Sequence, residues 1–217
     1  MILLPVKNLS GAKQRLAAIL DQPARTELAR AMLLDVLETV ANCAHHSEVS
    51  IVTSDPFAVQ LAHQFHFNII PDNANRGETD AIEIATRFCE SHGIDSTLVI
   101  PGDIPLIQSW ELERITASAP TEGSVLVPAA DGRGTNAIFR RPAGLFRACF
   151  GNDSFKPHHA AAEATGKPCV ILPLPGIALD VDNPEDLRTL ATAPGTTRTQ
   201  HLIRQWDLAD LPLAANE

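Results

Sequence analysis

Two short stretches of this sequence place carboxylates close to predicted structural boundaries, and the first is IPGDIPLI, residues 100–107. The preceding run, Thr97–Ile100, is short and lacks polar alternation, which predicts a fully buried strand. Asp103 then lies just beyond the carboxyl end of that strand. In open α/β sheets ligands bind at this edge, so a carboxylate there can hold a metal ion or a ligand hydroxyl. The alternative is that Asp103 only stabilises a turn between Gly102 and Pro105.

The second stretch is LDVDNPEDL, which carries Asp180 and Asp182. Side chains at i and i+2 of an extended segment share a face, so both carboxylates could point toward one cation. Magnesium bound to nucleotide phosphates commonly takes only one or two protein carboxylates. We expect Asn183 to cap the helix that follows, with Glu185 and Asp186 favourable in its first turn. Metal binding is therefore assigned to Asp182.

The first loop of the chain, PVKNLSGAKQRL, offers groups suited to phosphate, which are Lys7, Ser10, Gly11 and Lys13. Backbone N-H groups of such a loop can bind phosphate oxygens, and lysines neutralise their charge. The loop matches neither the Walker pattern nor G-x-G-x-x-G, so a solvated lysine loop is the alternative. The chain has only four lysines, which makes the pair in this loop worth locating.

Two further segments offer hydrogen-bond donors to an anionic ligand. Gly134-Thr135-Asn136 opens a predicted strand, and Gly151-Asn152-Asp153-Ser154 is a predicted turn. Hydroxyl and N-H groups suit carboxylate or phosphate oxygens, and a glycine lets the backbone approach a ligand closely. We therefore expect Thr135, Ser154 and the backbone at Gly151 to hold an acidic ligand. The alternative for Ser154 is capping of a helix that begins near Phe155.

The segments around these positions alternate between strand and helix patterns. Strands are predicted at 2–6, 49–53, 68–71, 97–100, 124–128, 135–140 and 169–172. Helices are predicted at 23–41, 56–63, 78–92, 110–118, 155–165 and 184–190. This alternation predicts an α/β fold whose mostly parallel sheet is covered by helices on both faces.

Length and composition predict one folded unit. A chain of 217 residues with 45% hydrophobic content can bury one substantial core, so we expect a domain over 1–193 and a tail over 194–217. Apolar side chains in the tail could fold back on the chain or form a homodimer interface. They are Leu202, Ile203, Trp206, Leu208, Leu211 and Leu213.

Charge and hydropathy exclude two classes of partner. A formal net charge of -9 argues against a nucleic-acid-binding surface, which needs clustered lysine and arginine. No apolar stretch approaches the roughly 20 residues that span a bilayer, and the N-terminus lacks the pattern of a signal peptide. These features predict a cytoplasmic protein without a membrane partner.

The cysteines and histidines give no metal-site pattern. Cys43, Cys89, Cys149 and Cys169 are widely spaced and include no C-x-x-C pair, which favours buried, reduced thiols. The pairs His45-His46 and His158-His159 lack the i, i+4 spacing of a helical metal site. The first pair is expected to be exposed.

The order of the motifs resembles a known family. The PVK loop, PGDIPL after a buried strand, GTNAI, the GNDS turn and LDVDNPEDL are together similar to the 2-phospho-L-lactate guanylyltransferase family, over about residues 1–190. The resemblance implies a nucleotidyltransferase fold with a Rossmann-like sheet. It also implies transfer of GMP from GTP to a three-carbon phosphoacid, in the biosynthesis of the deazaflavin coenzyme F-420.

The resemblance also implies that Lys7 and Lys13 contact phosphates and that Asp103 and Asp182 hold Mg²⁺. It implies that Thr135, Gly151 and Ser154 line the site of the phosphoacid. Gly77 is predicted to contribute to the nucleotide-binding site. Relatives often have Gly-Leu-Asn before an Ala-rich helix, whereas this chain has Gly77-Glu78-Thr79-Asp80-Ala81. The strictness of guanine selection is therefore left open.

The predicted chemistry needs no general base. A phosphate monoester has its second pKa at about 6, so the attacking oxygen is mostly deprotonated at neutral pH. The predicted reaction joins GTP to 2-phospho-L-lactate, phosphoenolpyruvate or 3-phospho-D-glycerate and releases pyrophosphate. The alternatives are a nucleotidyltransferase acting on a sugar phosphate or a molybdopterin, and a non-catalytic nucleotide-binding domain. The last is disfavoured because binding alone does not require two separated metal carboxylates.

Overall fold

A computed structural model describes residues 1–43 and 49–206 of the chain. Within these residues one sheet has the strand order β3-β2-β1-β4-β6-β5-β7. Its strands are β1 (Ile2–Val6), β2 (Val49–Thr53), β3 (Asn68–Pro71), β4 (Thr97–Val99), β5 (Gly123–Pro128), β6 (Thr135–Arg141) and β7 (Cys169–Ile171). All of these strands run parallel except β6, which is antiparallel to both of its neighbours. The prediction of a mostly parallel α/β sheet is confirmed.

Helices pack on both faces of the sheet. They are α1 (Gln22–Ala41), α2 (Pro56–Gln64), α3 (Glu78–Ser91), α4 (Ser109–Ser118), α5 (Phe155–Ala164), α6 (Pro175–Ala178), α7 (Pro184–Thr192) and α8 (Arg198–Gln205). One core contains residues of α1, α4, α7 and α8, and the other contains residues of α3 and α5. Alternation along β1 supplies both cores, because Leu4 belongs to the first and Leu3 to the second. Every predicted strand and helix is present with bounds within two residues of the prediction.

The sheet brings the predicted site segments to one edge. β1 and β4 are parallel neighbours, so the loops after Val6 and Val99 leave the sheet side by side. β6 runs the other way, and its first residue, Thr135, therefore starts at the same edge. The backbone N-H of Val181 donates to the carbonyl of Asp103 at 3.1 Å. That bond joins the second acidic stretch to the first.

The described part of the tail folds back as α8, a helix that the sequence patterns did not predict. The buried carboxylate of Asp35 on α1 accepts hydrogen bonds from the backbone N-H of Arg198, and from the N-H and hydroxyl of Thr199. Ile203 is fully buried against the core. Leu208, Leu211 and Leu213 lie outside the described residues.

The expectation for the cysteines is wrong at two positions. Cys43 and Cys89 are buried, whereas Cys149 is exposed in the loop before α5 and Cys169 is partly exposed on the edge strand β7. The pair His45-His46 lies outside the described residues. Over residues 1–43 and 49–206, no helix combines the length and apolar character that crossing a membrane requires.

Candidate active site

The two acidic stretches meet at one lysine. The Lys13 ammonium lies 2.5 Å from Oδ2 of Asp103 and 2.8 Å from Oδ1 of Asp182. The Lys13 side chain is 7% exposed, whereas the two carboxylates are 30% and 39% exposed. The structure therefore brings together three of the predicted catalytic residues, with the carboxylates directed at a common point.

Local backbone structure turns Lys13 inward. The loop folds as two short 3-10 helices, Leu9–Gly11 and Gln14–Leu16, and Leu9 and Leu16 are buried. Lys13 lies between them with φ 55° and ψ 45°, in the left-handed region. A non-glycine residue there costs about 1 kcal/mol or more, and the two buried leucines hold the loop in place. This loop conformation directs the Lys13 ammonium toward Asp103 and Asp182.

Electrostatics holds this cluster in its charged form. Burial alone would lower the pKa of Lys13, but the adjacent charges of Asp103 and Asp182 outweigh it and raise that pKa. Burial acts to raise the pKa of Asp182, but Lys13, Arg15 and Lys7 together lower it below its ordinary value. Both groups are therefore ionised at neutral pH, and the ammonium offsets the repulsion between the carboxylates.

Asp180 faces a different partner. The side-chain amide of Asn136 donates to Oδ1 of Asp180 at 3.0 Å, and also to the carbonyls of Ile177 and Ala178. Burial raises the pKa of Asp180, and the nearby carboxylates of Asp103 and Asp182 add to the rise. In this arrangement Asp182, rather than Asp180, shares the Lys13 ammonium with Asp103.

The remaining polar residues of LDVDNPEDL cap a helix, as predicted. The Asn183 side chain accepts hydrogen bonds from the N-H groups of Glu185 and Asp186, and the Asp186 carboxylate accepts from the N-H of Asn183. This capping box begins α7, with Glu185 and Asp186 in its first turn. Asp186 also accepts from the N-H of Asp182 at 2.8 Å. Capping therefore fixes the backbone that carries the candidate metal ligand.

Two cavities meet at the cluster. A cavity of about 320 Å³ lies between the lysine loop and α1, with Gly11 and Lys13 in its wall. A cavity of about 660 Å³ lies on the side of β6 and the loop 150–154, with Thr135, Gly151 and Ser154 in its wall. The residues that line both are Lys7, Glu78, Pro101, Asp103 and Asp182. A ligand in one cavity can thus reach a ligand in the other at the predicted catalytic residues.

The predicted acid-binding residues are joined to each other. The N-H of Thr135 donates to Oγ of Ser154 at 3.2 Å, and both residues are buried. Ser154 makes no side-chain capping bond to α5, so the capping alternative for this serine is wrong. Gly151 has φ 140°, a conformation that favours glycine, and no atom crowds the position of a Cβ there.

The predicted nucleotide residues differ in their placement. Lys7 is exposed and lines both cavities, as well as a third of about 280 Å³ that contains Gly77 and Gly151. Gly77 is the residue before α3 and has φ 145°. The Ser10 hydroxyl is exposed and donates to Oδ1 of Asn8 at 2.7 Å. The role of Ser10 stays a prediction.

Several charged residues of the larger cavity were missed by the sequence patterns, among them Arg15, Arg133 and Glu78. Arg15 donates to Asp182 at 3.3 Å and to the side chain of Asn152 at 3.1 Å, so it links the lysine loop to the loop 150–154. Arg133 forms an ion pair with Asp153. Glu78 begins α3 and lines all three cavities. Arg15 could have been predicted from the sequence, because it lies two residues after Lys13 in the same loop.

The carboxylate oxygens of the site are suitable ligands for magnesium, but they are too few to surround the ion by themselves. Within the described ranges, no three His, Cys, Asp or Glu side chains surround one point. Asp103 and Asp182 converge on a single cation, the Lys13 ammonium. Magnesium commonly uses one or two carboxylates together with water and phosphate oxygens. The two aspartates therefore suit a magnesium ion whose other ligands would be water and phosphate oxygens.

Glu78 gives the site a testable pH dependence. Burial, aided by the charge of Asp103 and opposed by Lys7, raises the pKa of Glu78 to about 7. The folded protein then binds more protons than the unfolded chain between about pH 4.5 and 7, so stability falls as the pH rises through this window. Glu78→Gln removes the penalty. We expect it to stabilise the ligand-free protein by about 1 to 2 kcal/mol at pH 8, after allowance for solvent screening, and to have little effect at pH 4.5.

Calorimetric melting temperatures at the two pH values, without magnesium, test this expectation. Glu113→Gln, at an exposed position on α4, is the matched control and should leave both melting temperatures unchanged. Equal stabilisation of Glu78→Gln at both pH values would contradict the expected linkage.

Two solved structures show which class of fold this chain has. A crystal structure from Desulfovibrio desulfuricans G20, provisionally assigned as a nucleotide-diphospho-sugar transferase, superposes with a TM-score of 0.78 at 19% identity, covering 96% of this chain and 95% of that one. A cytidylyltransferase from Leptospira borgpetersenii gives a TM-score of 0.55 at 13% identity, covering 98% of each chain. The fold is that of the nucleotidyltransferases.

Sequence comparison identifies the family. The model of the guanylyl transferase CofC-like family matches residues 1–212, and the chain belongs to that family. A phosphoenolpyruvate guanylyltransferase of Conexibacter woesei is 33% identical over 210 residues, which cover 94% of each chain. A 2-phospho-L-lactate guanylyltransferase of Methanobrevibacter smithii is 26% identical, covering 94% of this chain and 88% of the relative. The family expected from the motifs is confirmed.

Proposed function

We propose that this protein transfers GMP from GTP to the phosphate of a three-carbon phosphoacid and releases pyrophosphate. The acceptor is phosphoenolpyruvate, 2-phospho-L-lactate or 3-phospho-D-glycerate, and the product is a precursor of the deazaflavin coenzyme F-420. Family membership and the names of the relatives support guanylyl transfer to such acids. The fold neighbours support the nucleotidyltransferase class.

The observation that carries the proposal is the junction of the two cavities. The smaller cavity is lined by the lysine loop and suits the nucleotide, because its backbone N-H groups and lysines can meet phosphates. The larger cavity is lined by Thr135, Gly151 and Ser154, and suits a small anionic acid. Since Lys7, Asp103 and Asp182 line both, two phosphorylated ligands would meet at these residues.

The chemistry follows from that placement. A phosphate oxygen of the acid attacks the α-phosphorus of GTP, a new oxygen to phosphorus bond forms, and the bond to the β-phosphate oxygen breaks. The attacking oxygen is already ionised at neutral pH, since the second pKa of a phosphate monoester is about 6. Lys7 and Lys13 then stabilise the charge that passes to pyrophosphate, and in-line positioning supplies much of the rest.

Magnesium is part of the proposal because the site is acidic. The larger cavity contains Glu78, Asp103, Asp180 and Asp182 near its junction with the smaller one, and these carboxylates would repel triphosphate and phosphoacid alike. Asp103 and Asp182 would hold the ion. The chemistry that bound magnesium supplies is neutralisation of phosphate charge as pyrophosphate leaves.

The proposed function is tested by product analysis with a panel of substrates. We expect purified protein with GTP, Mg²⁺ and one of the three acids to release pyrophosphate and to form a product whose mass is that of the acid plus GMP. Glucose 1-phosphate serves as the sugar-phosphate control, and ATP and CTP test the choice of base. Transfer only to the sugar phosphate, or no pyrophosphate with any acid, would overturn the proposal.

A homodimer stays a prediction of the tail sequence. It is supported by the apolar residues Leu208, Leu211 and Leu213, which are too few to form their own core. Light scattering of the full chain over a range of concentrations should give twice the chain mass of 23.3 kDa. A mass of one chain at every concentration would exclude the dimer.

A further inference from the structure

One buried group next to the larger cavity has no role in the chemistry above. His158, on α5, is completely buried. Its Nε2 lies 2.8 Å from the backbone nitrogen of Cys149, and its Nδ1 lies 3.0 Å from Oγ1 of Thr135. The Phe150 ring packs edge-on against the imidazole, with 5.0 Å between the ring centroids. The histidine therefore connects the loop before α5 to the first residue of β6.

The partners of His158 determine which of its nitrogens carries the proton. A backbone N-H can only donate, so Nε2 must accept the bond from Cys149 and has no hydrogen. Burial, together with the positive charge of Arg140, lowers the pKa of His158 to about 4, which keeps the ring neutral at neutral pH. A neutral ring without hydrogen on Nε2 carries it on Nδ1. Nδ1-H therefore donates to Oγ1 of Thr135.

That assignment orients the threonine hydroxyl. A hydroxyl has one proton and two lone pairs, and Thr135 uses a lone pair to accept from His158. Its own proton is then directed elsewhere, and Thr135 lines the larger cavity. An anionic oxygen in that cavity needs a donor. With the other tautomer, Thr135 would give its proton to His158 and present lone pairs to the anion.

We propose that His158 is a positioning residue for the acceptor acid, whose Nδ1-H sets the Thr135 hydroxyl as a donor to a carboxylate or phosphate oxygen in the larger cavity. This inference rests on the proposed function and adds a residue to it. The backbone bond from Cys149 fixes the tautomer, and the bond to Thr135 transmits it to the ligand. His158 itself does not touch the acid.

Two substitutions separate the two nitrogens of His158. In His158→Asn the side-chain amide reaches the position of Nδ1 and can still donate to Thr135. In His158→Gln the terminal oxygen reaches the position of Nε2 and can still accept from Cys149, but the donor to Thr135 is lost. We expect His158→Gln to raise the KM for the phosphoacid about 10- to 100-fold, as loss of a hydrogen bond to a charged group does. The KM for GTP should change less than about threefold, and His158→Asn should keep most of the acid affinity.

A cycle with Thr135→Val tests whether the effect passes through Thr135. Thr135→Val removes the hydroxyl at nearly constant shape and should raise the same KM. Adding His158→Gln to it should cause little further change, because the hydroxyl that His158 orients is already absent. Losses that multiply, equal losses for GTP and acid, or an Asn variant as poor as the Gln variant would overturn the proposal.

A spectroscopic measurement on the unmodified protein covers the case in which the variants do not fold. A long-range ¹H-¹⁵N spectrum of uniformly labelled protein should show one histidine with hydrogen on Nδ1 that stays neutral down to about pH 5, and phosphoenolpyruvate should shift its Nδ1 signal. A buried histidine with hydrogen on Nε2 would overturn the proposal. Absence of GMP transfer by the wild type is a separate result, which would overturn the proposed function and leave the tautomer assignment standing.

Discussion

Asp103→Asn is expected to lower kcat for GMP transfer about 10²- to 10³-fold, the loss typical of removing one group that stabilises transition-state charge. The Asp103 carboxylate lies at the junction of both cavities and 2.5 Å from the Lys13 ammonium. Asparagine keeps the shape but removes the negative charge. The variant therefore loses both the proposed magnesium ligand and the partner that holds Lys13 in place. Asp182→Asn should behave in the same way, because its carboxylate contacts the same ammonium.

Steady-state kinetics at several magnesium concentrations, together with melting temperatures, test the two aspartates. Glu185→Gln is the matched control, since Glu185 is exposed three residues after Asp182 and lines neither cavity. We expect its kcat to stay within about threefold of wild type, as for a surface substitution. Near-native turnover of either Asn variant at limiting magnesium would show that its carboxylate does not hold the ion.

The fold was predictable from the sequence because its strands are short apolar runs separated by helical patterns. Val49–Thr53 is buried at every position, and such a run can be found without knowledge of its neighbours. Helix α8 is different. Its first turn is held by the Asp35 carboxylate, 163 residues earlier in the chain, and only Ile203 of its apolar residues is fully buried. A contact of that sequence separation leaves no local pattern, although the capping box of Thr197 and Gln200 at the start of α8 is a local signal that could have predicted the helix.

The site was predictable as a set of residues but not as a geometry. Lys7 and Lys13 share one loop and looked equivalent, yet Lys7 is exposed and Lys13 is buried between two carboxylates. The difference accompanies the left-handed backbone at Lys13. A lysine in the sequence gives no indication of that backbone conformation. Metal binding was assigned to Asp182 rather than Asp180 from the sequence, but the physical difference between them, the hydrogen bond from Asn136 on β6 to Asp180, is visible only in the structure.

The buried partners of the predicted acid-binding residues could not be identified from the sequence either. Ser154 was expected to hold the acid, and nothing in the sequence indicated that its hydroxyl accepts a hydrogen bond from the N-H of Thr135. His158 is paired in sequence with His159, and only the packing of α5 against β6 reveals that it contacts Thr135. Side chains that act through other side chains have no spacing of their own in the sequence.

Lys13→Met is expected to separate the structural role of the ammonium from its role in catalysis. Methionine keeps most of the apolar length but leaves Asp103 and Asp182 facing each other without a cation. Removing one partner of a fully buried ion pair costs about 3 to 5 kcal/mol, and the partial exposure of these carboxylates (30% and 39%) should reduce the loss to about 1 to 2 kcal/mol. Turnover should fall about 10²- to 10³-fold, because a charge that stabilises the leaving pyrophosphate is gone.

Magnesium should partly repair the stability of Lys13→Met but not its turnover. In the wild type the ammonium occupies the point on which both carboxylates converge, so it competes with a metal ion for the same oxygens. Without the ammonium, magnesium can bind the two carboxylates before any nucleotide arrives, and binding to the folded state raises the melting temperature. We therefore expect millimolar Mg²⁺ to raise the melting temperature of Lys13→Met more than that of the wild type or of Lys7→Met, whose lysine is exposed. If all three proteins respond equally to magnesium, Lys13 does not share a cation site with Asp103 and Asp182.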